Sequence, residues 1–157
     1  MTAKPETNFW KNLKTCLEDG NFLVSRIESY ATPGFPDCVA FHKDTGFITL
    51  ELKVLKRSKK GTESVLISPL QNAWHVRFAR EGAPVYILVY DPDARTINVF
   101  DGSETPKLRQ KEYSKVSVLW RGPVSRAPAA LVHLAEAHKL PNSRSYPQPV
   151  DKYRLTN

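Results

Sequence analysis

Residues 84–91 read PVYILVYD, an apolar run with almost no interruption. A half-exposed strand alternates between polar and apolar side chains, whereas a strand buried on both faces does not. A chain with such a strand must cover both sides of a sheet. The rest of the sequence supplies the cover and the partners. Residues 6–19, ETNFWKNLKTCLED, repeat Phe9, Trp10, Leu13, Cys16 and Leu17 at helical spacing, with Gly20-Asn21 as a stop. Ser68 and Pro69 are a natural cap and first residue for a helix whose predicted buried stripe is Leu70, Ala73, Trp74 and Phe78, closed by Gly82. Residues 127–139 read as a last helix. FLVSRIES (22–29) looks extended, and YATPGFPD (30–37) is a loop. CVAFH, DTG and FITLELKVL (38–55) compose a hairpin, and RTINVF (95–100) and KVSVLW (115–120) are further strand candidates. The expected class is mixed α/β, α+β in its segregation, with a short mixed sheet flanked by helices. Residues 1–142 are expected to form one domain and 143–157, rich in proline and polar residues, a tail.

The strand at 47–54 poses a chemical question. Its even positions, Ile48, Leu50, Leu52 and Val54, are apolar and assigned to the core; its odd positions include Glu51 and Lys53. The two charged groups therefore leave the same face, roughly 6 to 7 Å apart along the strand. A central strand seldom holds charge without a use for it, because an unpaired buried charge is costly. The hairpin also brings Asp37, directly after Pro36, towards Glu51. Two converging carboxylates repel each other unless a cation lies between them, and hard divalent cations prefer carboxylate, carbonyl and water oxygens.

Pro36-Asp37 and Glu51-Leu52-Lys53 resemble the PD-(D/E)xK signature of metal-dependent nucleases. Pro-Asp followed at short range by Glu-x-Lys arises by chance in roughly one chain in fifty of this length. The hairpin, the apolar strand and a glutamine-bearing helix narrow that further. SPLQNAWHVRFAREGAPVYILV and SRIESYATPGFPD are similar to the matching segments of small phage-type VRR-NUC nucleases and Holliday-junction resolvases, so the resemblance spans about residues 6–92. It implies a restriction-endonuclease-like core. It also implies a site in which Asp37 and Glu51 hold Mg²⁺ with the Leu52 carbonyl oxygen, Mn²⁺ being able to substitute. One or two ions fit the pattern. By the same resemblance Lys53 orients or helps deprotonate the attacking water, and Gln71 faces the nucleophile or a phosphate. A glutamate of the first helix joins them: Glu6 is favoured, with Glu18 and Glu28 as alternatives.

Composition agrees with an anionic partner. Lys and Arg outnumber Asp and Glu by 23 to 16, for a formal net charge of +7, which favours nucleic acid over membrane. The run KVLKRSKK places Lys56, Arg57, Lys59 and Lys60 beside the signature as candidate phosphate contacts, and Arg77 on the long helix joins them. His42 and His133 lack paired ligand spacing. Trp10 and Trp74 read as core rather than stacking platforms. No apolar run is long enough to span a membrane, and MTAKPETNFWKN has no signal-peptide character. Cys16 and Cys38, set among apolar neighbours, are expected as buried free thiols in a reducing compartment, the cytoplasm (of the host if the chain is phage-encoded). Two functions fit: a DNA endonuclease acting on branched DNA, dimeric if it cuts two strands symmetrically, or a basic DNA-binding accessory protein of replication or recombination without catalysis. A base-specific restriction enzyme ranks below both, since no separate recognition domain is visible.

Overall fold

In the computed structural model, residues 4–27 and 31–139 are described; the proposed tail and Glu28 lie outside them. Twelve labelled elements follow in order: α1 (Pro5–Asp19), β1 (Leu23–Arg26), β2 (Cys38–His42), β3 (Gly46–Val54), β4 (Lys56–Arg57), β5 (Glu63–Ser64), α2 (Pro69–Arg80), β6 (Val85–Asp91), β7 (Thr96–Asp101), α3 (Thr105–Arg109), β8 (Trp120–Gly122) and α4 (Ala127–Lys139). The main sheet has the order β1-β2-β3-β6-β7-β8. β3 and β6 pair in parallel, and the other neighbours in this sheet are antiparallel. The expected short mixed sheet flanked by helices is therefore present. β6 lies near its middle, its residues from Val85 to Val89 buried on both faces, as its unbroken apolar run requires.

The sheet divides two cores. On one side Phe9, Leu13 and Leu17 of α1 and Ala127, Leu131 and Ala135 of α4 pack on Ile48, Leu50, Tyr86 and Leu88. On the other, Ile87, Val89 and Phe100 pack with Leu55, Val65, Leu108 and Tyr113. Glu51 stands beside Ile87, and Lys53 beside Val89, in register, so both charged groups share the second face. Among the described residues, no helix is long and apolar enough to cross a membrane.

Several expectations change. α2 is capped by Ser68, and Gly82 follows it at φ 86°, but its predicted buried stripe is inverted. Leu70 is 55% and Phe78 39% exposed, Ala73 is exposed and Trp74 half-buried. The residue that α2 buries fully is His75. The inward face is instead the Gln71–His75 row, because the site below needs a polar partner. The basic run is partly regular: Lys56–Arg57 and Glu63–Ser64 close a two-stranded hairpin. KVSVLW is not a strand over its length; a 3-10 turn covers Tyr113–Lys115 and β8 begins only at Trp120. Leu52 and Val54 are half-buried rather than core. Cys38 is buried but Cys16 is only half-buried, since α1 turns Phe9, Leu13 and Leu17 most directly inward.

Candidate active site at the end of the sheet

β2 and β3 pair with Cys38 opposite Leu50. One residue further, the antiparallel register sets Asp37 across from Glu51. The Asp37 carboxylate accepts a hydrogen bond from the Leu52 main-chain N–H at 2.7 Å. The Asp37 carbonyl accepts another from Ile27 N–H at 2.8 Å, which ties β1 to the same corner. The loop that delivers Asp37 depends on Gly34. Its φ is 86°, and a Cβ there would lie 2.3 Å from the Leu70 carbonyl oxygen, so only glycine allows the loop to lie against the start of α2.

α2 completes the corner through one side chain. Gln71 Oε1 accepts from Ser68 N–H at 3.0 Å, while Ser68 Oγ accepts from Gln71 N–H at 3.1 Å. This reciprocal pair is a capping box with glutamine in the third helical position. The same Oε1 accepts from Lys53 Nζ at 3.0 Å, and Gln71 Nε2 donates to Glu51 Oε1 at 2.7 Å. The orientation of the amide is thereby set, two donors on its oxygen and a carboxylate on its nitrogen. One turn along, His75 Nδ1 donates to the Gln71 carbonyl at 2.7 Å. A carbonyl can only accept, so this ring is the Nδ1–H tautomer, and its Nε2 lies buried without a hydrogen-bond partner. Burial holds the imidazole in its neutral form by lowering its pKa.

Glu51 is 1% exposed, and Lys53 Nζ is 3.3 Å from its Oε1. Its other oxygen, Oε2, is buried and accepts no hydrogen bond. Burial first, and then the Asp37 carboxylate, push the Glu51 carboxyl up to about 8, against the opposing pull of Lys53. An acidic group this stressed, with one oxygen unpaired and a second carboxylate across the strand, is the donor set a hard divalent cation satisfies. Asp37, Glu51 and the Leu52 carbonyl oxygen fit such an ion in their chemistry. No cluster of three or more His, Cys, Asp or Glu with the geometry to hold a metal occurs among the described residues, so the carboxylate part of the set is a pair.

These groups line a cavity of about 170 Å³ that also contains Glu6, Trp10, Arg26, Lys56 and Leu66. Of the glutamates weighed from sequence, Glu6 lies in the cavity, on the first turn of α1. Glu18 pairs with Lys14 on the opposite end of that helix. Phe9 stacks on Tyr90 with ring centroids 5.1 Å apart, which anchors that first turn over the sheet end. Trp10 is half-buried and borders the cavity.

The basic candidates separate. Lys56 lines the cavity. Lys59 and Lys60 lie exposed in the β4–β5 hairpin, and Arg77 is exposed on α2. Arg57 is engaged inside the chain: it contacts Asp91 at 2.7 Å, Asp93 at 2.8 Å and Glu63 at 3.3 Å. Three carboxylates leave its charge little surplus for a phosphate. Arg26 was not singled out from sequence. Its place follows only from the pairing of β1 with β2, which sets it opposite Cys38 and beside Asp37.

Solved structures similar to this chain include the following two. One is a VRR_NUC domain, with 23% sequence identity, a TM-score of 0.45, and coverage of 59% of this chain and 90% of that one. The other is Hjc, a Holliday junction resolvase from the archaeal hyperthermophile Archaeoglobus fulgidus, with 24% identity, a TM-score of 0.45, and coverage of 63% and 74%. No family model matches the sequence, and neither does any curated protein.

Proposed function

We propose that this protein is a divalent-metal-dependent DNA endonuclease of the PD-(D/E)xK type with a restriction-endonuclease-like core, acting on branched DNA. The observation that supports it most is Glu51: a carboxylate 1% exposed, with one oxygen unpartnered, beside Lys53 and across from Asp37. Burial and a facing carboxylate load this group with a cost that a purely structural ion pair does not need.

In this reading Asp37, Glu51 and the Leu52 carbonyl would hold Mg²⁺, or Mn²⁺ in its place, and such an ion would supply Lewis acidity towards water and the phosphate. Lys53, fixed by Gln71 and Glu51, holds its ammonium where it would orient the attacking water and stabilise charge developing on the phosphate oxygens. Gln71 holds Lys53 and Glu51 in one geometry. Glu6 adds a third carboxylate at the cavity mouth. Lys56, Lys59, Lys60 and Arg77 contact the backbone of the DNA.

A second copy of the chain is proposed as partner. Leu23, Phe41 and Phe47 sit side by side across β1, β2 and β3, on the same face of the sheet as α2 with its outward Leu70 and Phe78. Leu23 is 72% and Phe47 69% exposed. With Trp74, these side chains present on the order of 500 Å² of apolar surface. That is close to the apolar share of an interface of about 800 Å² per partner.

The test is incubation with a four-way junction, a flap, a single strand and a plain duplex in Mg²⁺, Mn²⁺ or EDTA. Metal-dependent cleavage, strongest on a branched substrate and lost in Asp37→Asn, supports the proposal. Binding to all four with no cleavage in either metal replaces it with the accessory DNA-binding reading.

A further inference from the structure

We propose that Arg26, held against the ring of Trp10, is a phosphate-binding residue that seats the DNA strand on the β1 side of the Asp37–Glu51 pair; the proposal rests on the nuclease reading above. Arg26 ends β1 at the corner where β2 begins, and its guanidinium carbon lies 5.6 Å from the centroid of the Trp10 ring. Both side chains border the cavity that contains the two carboxylates. Among the described residues Arg26 has no carboxylate partner, in contrast to Arg57 with three and Lys53 with Glu51. It is a cation placed by an aromatic face rather than by an anion, so its charge and its fork of N–H donors stay available.

The position suits a phosphate neighbouring the one to be cut. β1, β2 and β3 are adjacent, so the main chains at Arg26 and Glu51 stand two strand spacings apart, roughly 10 Å; Arg26 shares its row with Cys38 and Leu50 and reaches the cavity from the α1 side of the sheet, Glu51 from the α2 side. A nucleic acid strand crossing the sheet end passes Arg26, then the carboxylate pair with Lys53, then Lys56. Guanidinium matches phosphate through two parallel hydrogen bonds. A ring that already holds the guanidinium in place lowers the cost of ordering it. Trp10 is thus a positioning residue and Arg26 the group that touches the substrate.

The experiment uses the full chain in EDTA, where binding is read without cleavage. Fluorescence anisotropy follows a labelled four-way junction and a labelled single strand across a salt series. Arg26→Gln is expected to bind about tenfold more weakly and to flatten the dependence of log K on log salt by about one contact's worth, 0.7 to 0.9. Arg26→Lys retains the slope with intermediate affinity. Trp10→Leu retains the slope and loses about threefold in affinity, since the charge remains but is no longer held. Circular dichroism melts accompany each variant, and if Trp10→Leu does not fold, the two Arg26 variants decide. A lower melting temperature for Arg26→Gln with wild-type affinity and slope overturns the proposal, because Arg26 is then structural only. Wild-type protein that binds neither DNA at low salt overturns the nuclease reading, and this proposal with it.

Discussion

Glu51 offers a test of the site that needs no substrate. In metal-free protein its carboxyl is held near 8 when folded against 4.5 as its ordinary value. Between those values the folded chain binds more protons than the unfolded one. Stability therefore falls as pH rises through that window, and is flat below and above it as far as this group is concerned. The slope is about 1.4 kcal/mol per pH unit, so Glu51 costs about 3 kcal/mol near pH 7 and under about 1 kcal/mol near pH 5. Glu51→Gln removes this dependence. It retains an acceptor for Gln71, and the attraction of Lys53 is already contained in the raised value. In EDTA the variant should exceed wild type by under about 1 kcal/mol near pH 5 and by about 3 kcal/mol near pH 7. Urea unfolding followed by tryptophan fluorescence, at four pH values from about 5 to 8, reads the difference. Saturating Mn²⁺ should then reverse the order, stabilising wild type by mass action and the variant little. Parallel pH profiles for the two proteins in EDTA, or a variant less stable at every pH, would falsify the stressed-carboxylate argument and with it the best support for a metal site.

The remaining expectations touch other parts of the molecule. Lys53→Met and Asp37→Asn should each lower cleavage of a junction by about a hundredfold or more with melting temperature little changed; a variant that cuts at wild-type rate assigns the chemistry elsewhere. Gly34→Ala meets the Leu70 carbonyl and a left-handed φ, so it should cost about 1 to 3 kcal/mol and reduce cleavage as Asp37 moves; unchanged unfolding and activity would show that the loop has slack. Arg57→Ala frees the β4–β5 hairpin from Asp91, and faster proteolysis or amide exchange confined to residues 56–64 is the signature. The clamp holds the Asp91 carboxyl down to about 2, its hydrogen bonds with Arg57 being the main cause. Its stabilising share is present above the ordinary carboxylate value and is lost as pH falls towards 2, a loss that Arg57→Ala should abolish. Phe47→Asp should give a monomer by light scattering if the apolar strip joins two copies, and an unchanged mass at the same concentration if it does not.

Much of this protein was determined locally. The alternation in residues 47–54 sets Glu51 and Lys53 on one face whatever surrounds the strand, because successive side chains must point to opposite sides. The short DTG turn makes Asp37 return towards Glu51, and the unbroken apolar run of β6 demands cover on both faces. What the chain's neighbours alone decided was which apolar groups are inside. Leu70, Trp74 and Phe78 have helical spacing and look like a core stripe. α2 nevertheless turns Gln71 and His75 inward, because hydrogen bonds to Glu51 and Lys53 outweigh the burial of a leucine over a polar corner. The same holds for the cations. Arg57 stands in a basic run and Arg26 does not, yet three carboxylates converge on the first and an indole ring on the second. Strand pairing at long range makes that choice, and no local pattern encodes it.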